Sequence, residues 1–113
     1  MKEIKAYIRP ERADTVISHL EAIGINGMTV IDVSTIGSWA GKKDLKISLE
    51  YCERYCKSVK MELICPDDLV EIVIGSILDH AHSGQPGDGK IFVTNVEDAV
   101  SIRTKKHGID ALA

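Results

Sequence analysis

Val59-Lys60-Met61-Glu62-Leu63-Ile64-Cys65-Pro66-Asp67-Asp68 is the stretch on which the architecture turns. Val59, Met61, Leu63 and Cys65 alternate with Lys60 and Glu62, the period of a half-buried strand. Pro66-Asp67-Asp68 reads as a helix start, because an acidic side chain can cap free N–H groups and suits the helix dipole. Behind it, Leu69, Val70, Val73, Ile74, Ile77 and Leu78 recur at helical spacing and make a wide apolar face. A glycine-rich loop follows, and then a strand near Lys90 to Thr94. A short turn or helix around Val96 to Val100 leads to a last β segment at Ser101 to Thr104.

The same order occurs upstream. Lys2 to Ile8 alternates, with Ile4, Ala6 and Ile8 on one face and Lys5 and Tyr7 on the other. Pro10 suits a helix start, and Ala13, Val16, Ile17, Leu20 and Ile23 predict an amphipathic helix over Glu11 to Ile23. Gly24 stops it, as a residue tolerant of positive φ. A Val-, Ile- and Thr-rich run from Met28 to Ile36 is the next strand, ended by Gly37. From Ser38 to Lys57 the periodicity is lost. This polar excursion, with a helical turn expected near Leu49 to Cys56, is long for a compact domain, and such loops are usually functional or mobile. The order β-α-β-β-α-β is the ferredoxin-like split βαβ pattern. The expected fold is an α+β sandwich of one domain, residues 1–113, with a long loop between its second and third strands. Such a fold by itself implies no function.

Composition narrows the field. The chain has 113 residues, enough for one core, with 44% hydrophobic and 27% charged residues. Aromatics are only 4%, so the interior must be aliphatic. The net charge is -3, and no stretch concentrates Lys and Arg among stacking aromatics, which argues against nucleic-acid binding. Met1 to Lys5 alternates charged and apolar residues, unlike a signal peptide. The longest apolar run, Leu69 to Leu78, is broken by Glu71 and too short to span a bilayer. The expectation is a cytoplasmic protein with no membrane insertion. The 3 cysteines, Cys52, Cys56 and Cys65, are expected as reduced thiols.

Gly84-Gln85-Pro86-Gly87-Asp88-Gly89-Lys90 satisfies the G-x-x-x-x-G-K pattern of a P-loop. The context does not. A P-loop leaves a strand and opens a helix, with a Ser or Thr for magnesium, whereas this loop leaves a helix and enters a strand, and Ile91 takes the hydroxyl's place. Its resources still suit an anion: glycines let backbone N–H groups approach a phosphate, and Lys90 adds a point charge. The plain alternative is a helix-to-strand turn with ordinary Gly and Pro punctuation. No nucleophilic constellation occurs elsewhere. Cys52 and Cys56, at i, i+4 spacing, would share a helix face but lack further metal ligands.

The motifs Cys65-Pro66-Asp67-Asp68, Gly84 to Phe92 (G-Q-P-G-D-G-K-I-F) and Ile102-Arg103-Thr104 closely resemble those of the PII signal-transduction proteins (nitrogen regulatory PII). Ile8-Arg9-Pro10 and Gly24-Ile25-Asn26-Gly27-Met28-Thr29-Val30 resemble them too, in order and at matching spacing across essentially the whole chain. The resemblance implies a homotrimer that binds an adenine nucleotide (ADP, AMP or ATP, with or without magnesium) in clefts between subunits, with no cofactor required. It implies that Gly87, Asp88, Gly89 and Lys90 wrap the phosphates and that Arg103 adds a cation from the last strand. Gly27, Met28, Thr29, Glu62 and Ile64 match positions that recognise the nucleoside, partly across the subunit boundary. On their own, Thr29 reads as a β-branched strand residue and Glu62 as a solvated strand face. Residues 37–57 correspond to the family's T-loop, which docks on target proteins and reorders with the bound ligand, switching binding without enzymatic chemistry.

The departures from the family are specific. Trp39 replaces a glutamine that helps bind magnesium and 2-oxoglutarate. Ser58 replaces a lysine that pairs with the 2-oxoglutarate carboxylate, with Lys57 next to it as a substitute, while Arg9 is kept. Loss of a charge-assisted contact argues against ordinary 2-oxoglutarate sensing and for another small effector. Ser38 and Ser101 stand where phosphate-binding arginines are usual, which shifts the expected preference from ATP toward ADP or AMP. Tyr51, preceded by Glu50, falls where many bacterial PII proteins are uridylylated, but Lys46 to Leu49 does not match the usual context. Trp39 reads equally as an anchor for a partner or ligand and as a side chain folded back on its own subunit. The leading expectation is therefore a regulator of a target enzyme or transporter. Regulation of bicarbonate or metal transport is one alternative, and a slow ATPase another.

Overall fold

The computed structural model describes residues 1–37, 39, 46–48 and 53–113. Its elements are β1 (Lys2–Ile8), α1 (Pro10–Ala22), β2 (Thr29–Ile36), β3 (Lys46–Ser48), β4 (Glu53–Cys65), α2 (Val70–Ala81) and β5 (Lys90–Asn95). The strands form an antiparallel sheet in the order β2-β4-β1-β5, with β3 pairing β4. This is the ferredoxin-like arrangement expected from the sequence.

The alternation in β1 determines which face is covered. Ile4, Ala6 and Ile8 are buried, as are Val59, Met61, Leu63 and Cys65 on the adjacent β4. The helices supply the facing layer through Ala13, Val16 and Leu20 of α1 and Val73, Ile77 and Ala81 of α2, and Ile25 closes one end. The opposite sheet face carries Lys5, Tyr7, Lys60, Glu62, Lys90 and Phe92 by strand register. Pro10 takes the first position of α1, where its missing N–H costs nothing. Gly24 follows the C-cap residue Ile23 at φ 98°, a conformation that terminates the helix.

The structure corrects the sequence reading in four places. β4 begins at Glu53, so the excursion is shorter than residues 37–57, and its described part from Glu53 is strand rather than a helical turn. The reason lies in β2. Its eight residues carry backbone groups that need partners, and β4 supplies them as far as Ile36↔Tyr55. Cys56 consequently sits buried in a strand, not on a helix face, while Cys52 lies outside the described residues. Pro66-Asp67-Asp68 does start the helix, through a 3-10 turn, Asp67–Leu69, that runs straight into α2, but no side chain caps it. Asp67 pairs instead with the Met1 amino group at 2.9 Å, whose hydrogen bond holds the carboxyl below its ordinary pKa. Val96 to Ala99 carry no regular element. Ser101 to Thr104 is a turn rather than a strand: Lys105 N–H donates to Ser101 O at 2.8 Å, beside the isolated bridge Val100↔His107.

Candidate functional site

The loop between α2 and β5 is built around one carboxylate. Asp88 accepts hydrogen bonds from the backbone N–H groups of Ser83 and Gly84, each at 2.8 Å, and from the Ser83 hydroxyl. Arg9 ties this ring to the start of α1, donating to Asp88, to Pro86 O at 2.8 Å and to Ser83 Oγ at 3.2 Å. Pro10 suits Arg9 to this task, because a residue before proline is held extended (φ -65°, ψ 141°). Partial burial pushes the Asp88 carboxyl up, but the hydrogen bonds from Ser83, Gly84 and Arg9 outweigh it and hold the group well below the usual carboxylate range. The loop thus carries an internally neutralised Arg9–Asp88 pair.

What the pair leaves over is useful to an anion. The N–H groups of Gly87, Asp88 and Gly89 make no hydrogen bond among the described residues. Lys90 follows them and has no carboxylate partner among the described residues. Gly89 lies at φ 102°, and a Cβ there would fall 1.6 Å from the Tyr7 carbonyl oxygen, so only glycine lets the loop enter β5 against β1.

The sequence-predicted residues divide between two clefts of the single chain. Asp88, Gly89 and Lys90 border a cleft of about 360 Å³ beside Tyr7, Ile8 and the last turns of α2, and Gly87 is not among its lining residues. Gly27, Met28, Thr29, Glu62 and Ile64 line another, of about 520 Å³, closed by Ala111 and Leu112 from the chain's C-terminal 3-10 turn. Thr29 faces Glu62 directly in the β2–β4 register. Glu62 accepts a 3.0 Å ion pair from Lys60, which raises the lysine's pKa.

Arg103 does not come from a strand. It is exposed on the turn after Ser101, where the hydroxyl of Ser101 accepts the Thr104 N–H at 3.3 Å. His107 pairs with Asp98 at 2.8 Å, which lowers the Asp98 pKa.

The expected effector residues are not brought together as free cations. Arg9 is engaged with the glycine loop. Ser58 accepts a 3.0 Å hydrogen bond from the Thr35 hydroxyl, and Lys57 lies over the Tyr55 ring, 5.5 Å from its centre. Trp39 folds back across the sheet: it stacks on Phe92 (5.5 Å, 29°), meets Tyr7 edge-on (6.1 Å, 63°), and carries the Lys90 ammonium 5.3 Å from its ring centre. Ser38 and Tyr51 lie outside the described residues.

A family model described as nitrogen regulatory protein P-II matches residues 1–106. The chain belongs to the P-II family. Curated relatives carrying the name nitrogen regulatory protein P-II include those of Azospirillum brasilense (43% identical), Haemophilus influenzae (42%) and Bradyrhizobium diazoefficiens (41%). Each match covers 99% of this chain and 100% of the relative. The glycine loop therefore belongs to a regulatory family, and its P-loop-like spelling reflects a helix-to-strand loop. Within this P-II chain, sequence reasoning missed Ser83, Tyr7 and Phe92. Ser83 had no motif to announce it. Tyr7 and Phe92 could have been paired in advance, because both occupy the polar side of strands whose other side is apolar. No helix among the described residues is long and apolar enough to cross a membrane.

Proposed function

We propose that this P-II family member is a non-enzymatic regulator that binds an adenine nucleotide through its glycine loop and controls a target protein through residues 37–57. The observation that carries the reading is the trio of N–H groups at Gly87, Asp88 and Gly89, which have no acceptor among the described residues, beside Lys90, which has no carboxylate partner among them. Concave backbone N–H groups with an adjacent cation are a phosphate cradle. The nucleoside-facing set, Gly27, Met28, Thr29, Glu62 and Ile64, lies in the other cleft of the same chain. This supports a composite site in which one subunit of a trimer supplies the cradle and its neighbour the base pocket, with Arg103 reaching the phosphates from its exposed turn.

The selectivity follows from the charge inventory. Arg9 is neutralised by Asp88, and serines stand at positions 38 and 101, so few cations remain to compensate a γ-phosphate. ADP or AMP is favoured over ATP, with magnesium not required. A 2-oxoglutarate carboxylate would find Ser58 and an engaged Arg9, so the second effector is a different small molecule.

Calorimetry with ADP, AMP, ATP, 2-oxoglutarate and bicarbonate tests this. ADP is expected to bind, and Lys90→Ala to weaken it about tenfold or more, the usual value of a charge-assisted contact. A folded protein that takes up no adenine nucleotide would refute the reading.

A further inference from the structure

Lys90 has one strong contact in the described structure, and it is not with a carboxylate. Its ammonium lies 5.3 Å from the centre of the Trp39 ring. Trp39 is the only tryptophan of the chain. It lies just past Gly37 (φ 90°), which turns the backbone out of β2, an edge strand. Its partners Tyr7 and Phe92 belong to β1 and β5, at the other side of the sheet. Tyr7 and Phe92 also meet each other edge-on at 6.1 Å, forming a fixed floor beneath the indole. The platform is asymmetric: rings hold the indole from below, while Lys90 comes from β5 itself, paired with Tyr7 and sharing a face with Phe92. Trp39 remains 39% exposed, so it is held by these contacts rather than by burial in the core.

An ammonium over an aromatic face is attracted by the ring quadrupole, and an arriving anion competes for the same charge. We infer that Trp39 is a positioning residue that holds Lys90 in the absence of ligand and gives it up to a phosphate, so that occupancy of the glycine loop is transmitted to the chain leaving β2. The inference rests on the proposed reading of the loop as an anion cradle. It adds a route: the indole spans from the edge strand that feeds residues 37–57 to the strand that carries the cradle. Two arrangements of one lysine, biased by the ligand, are the minimum that such coupling needs.

The test uses the intrinsic fluorescence of Trp39 together with calorimetry, with ADP and inorganic pyrophosphate as separate probes. Pyrophosphate carries no base, so its effect isolates capture of Lys90 from stacking by adenine. Both probes are expected to shift the emission of Trp39. Lys90→Met is expected to give a shifted spectrum with no ligand present. Trp39→Leu removes the competitor and is expected to tighten pyrophosphate binding about two- to fivefold, the value of an exposed cation–π contact. Trp39→Phe, which keeps an aromatic face, is expected to restore affinity toward wild type. Calorimetric binding with silent emission and unchanged affinity in Trp39→Leu overturns the inference and leaves the nucleotide reading standing. A Lys90→Met spectrum identical to wild type overturns it without reference to ligand. No heat from either probe with folded protein removes both.

Discussion

Gly89→Ala is expected to destabilise the folded chain by about 3–5 kcal/mol, from overpacking and backbone strain acting together. The added methyl would lie 1.6 Å from the Tyr7 carbonyl oxygen and 2.7 Å from its carbon, both of them backbone atoms that no side-chain rotation can move. The φ of 102° is unfavourable for an L side chain even without the clash. Relief requires the loop to lift from β1, which breaks the sheet where Tyr7 faces Lys90. Urea denaturation of wild type and variant, analysed by linear extrapolation, measures the loss. Equal stabilities would show that β5 does not enter the sheet as described. On the proposed reading of the loop, any folded fraction of this variant should also bind nucleotide poorly, because Lys90 is the next residue.

Asp88→Ala is expected to cost about 2–3 kcal/mol at neutral pH, since it strips two backbone N–H groups and a mostly buried guanidinium of their shared acceptor. The figure falls at or below the bottom of the range for fully buried broken pairs, because the Asp88 side chain keeps 21% of its surface exposed. The pH dependence has a definite sign. The folded carboxyl is held below its ordinary value, so the carboxylate's contribution is complete above the unfolded pKa of about 3.9 and fades as pH falls through the folded one. Stability curves of wild type and variant should therefore stay apart above about pH 5 and converge as the solution is acidified. A gap that does not change with pH would mean that the carboxylate is not the anchor.

Much of this was legible in the sequence because periodicity and punctuation agreed. Ile4, Ala6 and Ile8 alternate, Val16 and Leu20 share a helix face, and Pro10 and Gly24 bracket α1, so the helices and central strands are found within a residue or two. The length of β4 was not legible. Tyr55 to Lys57 pair with Ser34 to Ile36 because edge-strand backbone needs partners, a demand that leaves no trace in side-chain patterning. The turn at Ser101 to Thr104 misled for a related reason: a short β-compatible run does not reveal that its backbone bonds close on themselves. At the candidate site, the glycines and Lys90 stood out by residue type and by the family motif. The engagement of Arg9 with Asp88 spans 79 positions of sequence and depends on folding to exist. The seating of Trp39 on Tyr7 and Phe92 likewise joins residues far apart in sequence and depends on folding to exist.

The strand order has a consequence for how the chain assembles. β1 is the first strand in sequence, yet it lies between β4 and β5, with Lys2 opposite Cys65 on one side and Asn95 on the other. Its ladders close only when residues far downstream arrive, and such long loop closures must be met before their contacts form, which slows folding. A chain interrupted before β5 would present the Tyr7 side of β1 as an open edge, a ready template for pairing with another copy. The last strand, which brings Lys90 into place, thus covers β1 and becomes the outer edge of the sheet itself.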